Sequence, residues 1–332
     1  MPGQNIQVNF WDVGQGDCST ITLPDGRLII IDTGPRGSPL IDWLNDHPKK
    51  IHSVVLTHND ADHAGALPAL VGQFMDRIQS FYMLLDRPAN DPVFDKIFRC
   101  ALAGETKGYY QITRLEIGAT VWCDETIEAN LIPIFPNMSA NVLASSPNAA
   151  SGILSLCIKN QTQIIWPGDS SLARVGNVCR ETKPYVLFGP HHGAPEGYRL
   201  ASANTAIQAV SPANAFISVA TKNKYSHPRA KYLQRLERAG CHVRCSQLTT
   251  FCDRQSVINH HPVMSSHLVL GLRPPRLKSA VACRGAWQLT WDGNQFQSDG
   301  LDDEHFDRIS KLRRPQCVRG RVYFLTQSLA QS

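Results

Sequence analysis

The chain has 332 residues, 42% hydrophobic and 18% charged, a composition that excludes a disordered tail or a fibre. Its length allows about two domains, or one large one, at roughly 150 residues each. No apolar run reaches the ~18 residues of a membrane span, and a net charge of +5 without a basic run permits a phosphate-rich partner but does not demand one.

The start Met1-Pro2-Gly3-Gln4-Asn5 has neither the basic nor the apolar region of a secretory leader. The ten cysteines are therefore expected to be reduced thiols, with one metal site among them at most, and the protein to be cytoplasmic.

In chain order, Ile6, Val8 and Phe10 alternate as in a half-buried strand. Ser19 to Leu23 is a second strand, and the turn Pro24-Asp25-Gly26 leads into a third at Arg27 to Ile31. A short helix is expected at Leu40 to Leu44, a buried strand at Ser53 to Leu56, a helix near Ala64 to Phe74 and a strand at Phe81 to Leu85. Further strands are expected at Ile127 to Ile134, Gly152 to Ile158, Gln163 to Trp166, Pro184 to Phe188 and Ala215 to Val219. Helices are expected at Leu200 to Val210 and Arg229 to Ala239. Alternating strands and helices indicate a layered α/β fold through residue 245. Residues 246–332 change character and are expected to form a small cysteine-containing appendage of unassigned fold.

The chemistry concentrates in Thr57-His58-Asn59-Asp60-Ala61-Asp62-His63, directly after the apolar strand Ser53 to Leu56. His58, Asp60, Asp62 and His63 are four potential metal ligands at the carboxyl end of a strand, where α/β folds open their sites. A solvated acidic loop would read the same way in isolation. Three further strand ends repeat the pattern: Gly168-Asp169 after Gln163 to Trp166, His191-His192-Gly193 after Leu187-Phe188, and His227-Pro228 before a helix.

This order of motifs resembles the metallo-β-lactamase fold, and within it the soluble hydrolase domain of competence DNA-uptake proteins (ComEC-like). Phe10-Trp11-Asp12-Val13-Gly14-Gln15-Gly16-Asp17 is similar to the opening signature of that group, and Ile31-Asp32-Thr33-Gly34 to its second. The resemblance covers about residues 5–245. It implies an αββα four-layer sandwich, residues 1–245 as the hydrolase domain, and a dinuclear metal site along one edge. It carries ligand roles onto His58, Asp60, Asp62, His63, Asp169, His227 and one of His191 or His192, with Asp169 bridging. Asp32 would steady the histidine loop from behind. Asn148 and Ser151 fall where many members of the fold carry a further histidine, a departure shared by ComEC-like sequences. Asp62, His191 and His192 are the candidate catalytic residues.

Asp60 replaces the second histidine of the common motif, so the expected ligand set is rich in hard oxygen donors. That favours Mn²⁺ or Mg²⁺ and leaves Zn²⁺ as an alternative. Two cations roughly 3.5–4 Å apart would activate a water and clamp phosphate oxygens, while the unligated histidine of the pair protonates the leaving oxygen. Lys222, Lys224 and Arg199 could bind flanking phosphates or be ordinary solvated charges, and Pro136 to Pro147 is an expected active-site loop. In the tail, Cys245, Cys252, His260 and Cys283 could form a closed structural zinc site, against the plainer reading of buried thiols.

The function expected is that of a metal-dependent phosphodiesterase, a nuclease with DNA as substrate, acting in DNA processing or phage defence. The competing readings are a small-molecule hydrolase for a phosphocholine ester, cyclic nucleotide or lactone, since fold does not set substrate, and a non-catalytic binding module.

Overall fold

The computed structural model describes residues 5–85, 92–136, 147–194, 200–249, 252, 280–310, 312 and 317. Arg199, His260 and residues 137–146 of the expected active-site loop lie outside them.

Period-two alternation sorts the strand side chains onto two faces. In β3 (Leu28–Thr33), Leu28 and Ile30 point to one cluster while Ile29 and Ile31 point to another. With β1 (Gln7–Phe10), β2 (Cys18–Thr22), β4 (Ile51–Val55), β5 (Ile78–Met83), β6 (Gln111–Arg114), β14 (Trp287–Trp291) and β15 (Phe296–Ser298), it forms an eight-stranded sheet in the order β15-β14-β1-β2-β3-β4-β5-β6. A seven-stranded sheet joins β7 (Trp122–Asp124), β8 (Ala129–Phe135), β9 (Ile153–Ile158), β10 (Gln161–Trp166), β11 (Val186–Phe188), β12 (Asn214–Ile217) and β13 (His242–Cys245), in the order β13-β12-β11-β10-β9-β8-β7.

Between the sheets lies an aromatic layer. The Phe10 ring sits 5.4 Å from Phe216, 5.5 Å from Trp287, 5.6 Å from Phe188 and 6.2 Å from Trp166. Each such buried side chain stabilises the fold by about 1.5–3 kcal/mol. The outer face of the first sheet is covered by α1 (Pro39–Asp46), α3 (Leu67–Phe74) and α4 (Pro92–Thr106). That of the second is covered by α6 (Leu172–Val178), α7 (Leu200–Val210) and α8 (Ala230–Arg238). Helix, sheet, sheet and helix are thus stacked as the αββα sandwich expected from the sequence. No helix among the described residues is long and apolar enough to cross a membrane.

The helix expected over Ala64 to Phe74 is two helices, α2 (Ala61–Ala64) and α3. The chain breaks at Gly65, where a Cβ would stand 2.1 Å from the Ala61 carbonyl oxygen and 2.8 Å from the Arg36 nitrogen. Helix α4 was not anticipated, although Phe94, Ile97, Ala101 and Gly104 are buried at helical spacing. Beyond residue 245, β14 pairs antiparallel with β1, with Gln7 opposite Thr290 and Phe10 opposite Trp287. The helix Asp302–Ser310 follows β15; it is α9 here, after α5 (Pro147–Ala150) and the helices named above.

A candidate metal centre at the strand ends

Strands β3, β4 and β5 run parallel in one sheet, and β10, β11, β12 and β13 in the other. Their carboxyl ends open at one edge of the sandwich, and the loops leaving β4, β10 and β11 carry the histidines and Asp169. Asp60 precedes α2 but makes no capping hydrogen bond with its side chain, so its carboxylate is not consumed by the helix.

Asp169 is the hub. Its Oδ1 lies 3.2 Å from His63 Nε2 and 3.6 Å from His192 Nε2; its Oδ2 lies 3.4 Å from His191 Nε2 and 3.6 Å from His58 Nε2. Asp60 Oδ2 is 3.9 Å from His58 Nε2, and Asp62 Oδ2 is 3.4 Å from His192 Nε2. Gly168 (φ +52°) makes the approach: a Cβ there would meet Thr57 Oγ1 at 2.7 Å. His191 and His192 both adopt left-handed φ, 47° and 51°. Non-glycine residues in that region cost about 1–3 kcal/mol each, and such strain collects at functional sites.

The far nitrogens set the tautomers. His63 Nδ1 is 2.8 Å from Asp32 Oδ2 and must donate, because a carboxylate only accepts. His192 Nδ1 donates to the Ser218 carbonyl at 3.1 Å. Thr57 Oγ1 donates its proton to Asp32 Oδ2 at 2.7 Å, so it accepts from His58 Nδ1 at 3.2 Å. All three rings therefore turn Nε2 toward Asp169. The Nε2 atoms of His58, His63 and His192, together with Asp169 Oδ1, are buried without a hydrogen-bond partner. Unpaired buried polar atoms are costly, and four converging on one point fit a cation. The triad His58, His63 and Asp169 brings its ligand atoms within 4.8 Å of one another; Asp17, His63 and His192 do so as well, with the Asp17 oxygens facing the Nδ1 atoms instead.

Electrostatics give the same reading. Burial should drive an imidazole toward neutrality, yet the carboxylates of Asp169, Asp17 and Asp32 outweigh it and raise His63 well above its ordinary range. His192 is likewise raised, to about 10, against burial, by Asp17 and Asp169. Asp62 is lowered to about 2 in spite of burial, by the adjacent His192 and by the charge of His63. Without a metal, protons on the histidines supply the positive charge that these carboxylates require.

The other expected residues lie around this cluster. His227 is buried, its ring 5.7 Å from His191 and 6.5 Å from His192. Its Nδ1 accepts from Gln15 Nε2 at 3.5 Å, and burial with the neighbouring charges of His192 and His191 lowers it to about 4. Asn148 donates from Nδ2 to His191 Nε2 at 3.3 Å. Ser151 is fully buried beside Gly168. Lys224 lies over the Tyr225 ring rather than in the cluster. One carboxylate had no site role in the sequence reading: Asp17, whose Oδ1 is 3.2 Å from His192 Nδ1 and whose Oδ2 is 3.9 Å from His63 Nδ1. The Gly-Gln-Gly-Asp turn that carries it was the available signal.

The family model of the Metallo-beta-lactamase superfamily matches residues 11–98. ComE operon protein 3 of Bacillus subtilis (strain 168) is 25% identical over 259 residues, which is 71% of this chain and 31% of the relative. The chain thus spans under a third of that protein. Among solved structures, Igni18, a metallo hydrolase from Ignicoccus hospitalis, is 17% identical with a TM-score of 0.47, over 72% of this chain and 94% of the other. YhfI of Bacillus subtilis, a metallo-beta-lactamase fold protein, is 10% identical with a TM-score of 0.45, over 74% and 98%.

Proposed function

We propose that the protein is a metal-dependent phosphodiesterase that cleaves DNA, with His58, Asp60, Asp62, His63, Asp169 and one histidine of the 191–192 pair holding two divalent cations. One observation supports this above the rest: the unpaired Nε2 atoms of His58, His63 and His192 converge on the unpaired Asp169 Oδ1 in a cluster otherwise lined by aspartates. Bound there, the cations would supply Lewis acidity toward phosphoryl oxygens and a nucleophilic water at neutral pH.

The chain's own residues define the remaining roles. Asp169 faces four histidines from two oxygens, the position of a bridging carboxylate. Asp32 and Ser218 hold His63 and His192 in one tautomer and one orientation. His192 is the better ligand of the pair, being buried with Nε2 toward Asp169 and Asp62. His191 is more than a third exposed, with its Nε2 3.4 Å from Asp169 Oδ2, and it can exchange protons with water. Burial lowers its pKa, so its protonated form is a stronger acid and would pass a proton readily to a leaving oxygen. Asp60, Asp62 and Asp169 make hard cations such as Mn²⁺ or Mg²⁺ the fitting partners.

A substrate screen tests the polymer assignment. Model phosphodiesters, phosphocholine esters, cyclic nucleotides, lactones and DNA are compared at two salt concentrations. Preference for DNA, with affinity falling as salt rises, supports the nuclease reading. Preference for a small ester or lactone, without salt dependence, would replace it.

A further inference from the structure

All ten cysteines are thiols, and four of them gather away from the candidate centre. Cys245 ends β13. Residues 281–285 turn back along it: Leu248 N donates to Val281 O at 2.8 Å, Cys283 N to Ser246 O at 3.0 Å and Arg284 N to Cys245 O at 2.9 Å. This antiparallel pairing lays Cys283 beside the end of β13. Helix α9 is docked over both segments, because Asp302 pairs with Arg244 at 2.9 Å and Arg284 at 3.2 Å. One turn on, on the same helix face, His305 Nε2 lies 3.5 Å from Cys283 Sγ. Cys252, turned back by its N–H to Thr249 O at 3.0 Å, and Cys317 pack into the same apolar cluster as Cys245 and Cys283.

We infer that Cys245, Cys252, Cys283 and Cys317 form a structural zinc site, with His305 hydrogen-bonded to the Cys283 sulfur. His260, the histidine expected from the sequence, lies outside the described residues, and Cys317 takes the fourth position. Four cysteine sulfurs would suit Zn²⁺ better than a hard cation. Among the described residues, only the two triads of the candidate centre already bring their ligand atoms within 4.8 Å of one another, so zinc would draw these sulfurs inward. Burial together with the neighbouring thiols Cys283, Cys317 and Cys252 holds the Cys245 pKa well up, and burial pushes Cys317 to about 12. Metal binding would release those protons. The ion would tie the end of the second sheet to the segment that supplies β14 and β15 to the first. This inference does not depend on the proposed hydrolase activity.

Cobalt substitution of the full chain is the direct test. The candidate centre offers only nitrogen and oxygen, so a thiolate-to-cobalt charge-transfer band in the near ultraviolet reports the cysteine site alone. The band is expected in the unmodified protein. Metal analysis of a His63→Ala/Asp169→Ala protein should find one zinc per chain, retained in Cys123→Ser and lost when Cys252→Ser and Cys317→Ser are added. Absence of the band, or zinc retained after both cysteine substitutions, would overturn the assignment.

Discussion

His63 is held between two aspartates, with Nδ1 2.8 Å from Asp32 Oδ2 and Nε2 3.2 Å from Asp169 Oδ1. Asp32 also accepts from Thr57 N at 2.8 Å and Thr57 Oγ1 at 2.7 Å. It therefore sets the path of the loop after β4 as well as the ring it carries. Replacing Asp32 by Asn keeps the shape but offers an amide nitrogen where one oxygen accepted. Such partners of metal-binding histidines typically affect metal affinity or activity by about 10–100-fold. Asp32→Asn, and Asp17→Asn behind His192 to a similar degree, should weaken metal binding by about that factor, measured by competition with a chelator. Unchanged affinity in both would show that neither carboxylate orients the site.

The protonation of the metal-free site predicts a pH dependence. His192 rises from 6.5 to about 10 in the fold, and His63 moves the same way. A group whose pKa is raised by folding stabilises fully below its unfolded value and loses that contribution as pH rises through the folded value. The melting temperature of chelated protein should fall between about pH 7 and pH 10, and a His192→Gln variant should fall less. Asp62, lowered to about 2, acts oppositely: its contribution is present above 3.8 and lost as pH drops toward about 2. Metal-loaded protein should lack the alkaline slope. A flat alkaline profile in the chelated protein would contradict this charge arrangement.

Gly16 packs tightly against the loop that carries Asp62 and His63. At φ +138°, a Cβ would stand 2.2 Å from the Asp62 carbonyl oxygen and 2.8 Å from Pro35 Cδ. Asp17 N donates to that same carbonyl at 3.2 Å. Gly16→Ala should cost about 1–3 kcal/mol in overpacking, and it should displace Asp62 and His63 enough to weaken metal binding as well. Thermal unfolding and metal titration check both parts. A variant with unchanged metal affinity would show that this contact does not position the loop.

Metal choice should follow the residue at position 60. Asp60 is half-buried at the mouth of the cluster, 3.9 Å from His58 Nε2. Exchanging its oxygen for an imidazole nitrogen softens the site. Asp60→His should raise the ratio of activity with Zn²⁺ to activity with Mn²⁺. An unaltered ratio would mean that Asp60 does not contact the metal.

The local features were the legible ones. His58, Asp60, Asp62 and His63 share one loop, and Gly168-Asp169 and His191-His192 each end an apolar strand, so their positions follow from periodicity and turn residues. Relationships across long stretches of chain were not legible. Asp17 meets His192 only because the loop before β2 meets the end of β12, where Ser218 Oγ donates to the Gly16 carbonyl. The pairing of β14 with β1 spans most of the sequence, and β14 is too short for its pattern to disclose its neighbour. His227 closes the expected ligand series; Asn223 bonds with its backbone, accepting from its N–H and donating to its C=O, and Tyr225 stacks on its ring. These contacts fix it beside the pair.

Cleavage of single-stranded, double-stranded and circular DNA with Mn²⁺, Mg²⁺ or Zn²⁺, beside an Asp62→Ala control, tests the central claim most directly. The account predicts cutting that depends on the added metal and disappears in Asp62→Ala. No cutting with any ion while metal is demonstrably bound, or cutting that persists in Asp62→Ala, would contradict it.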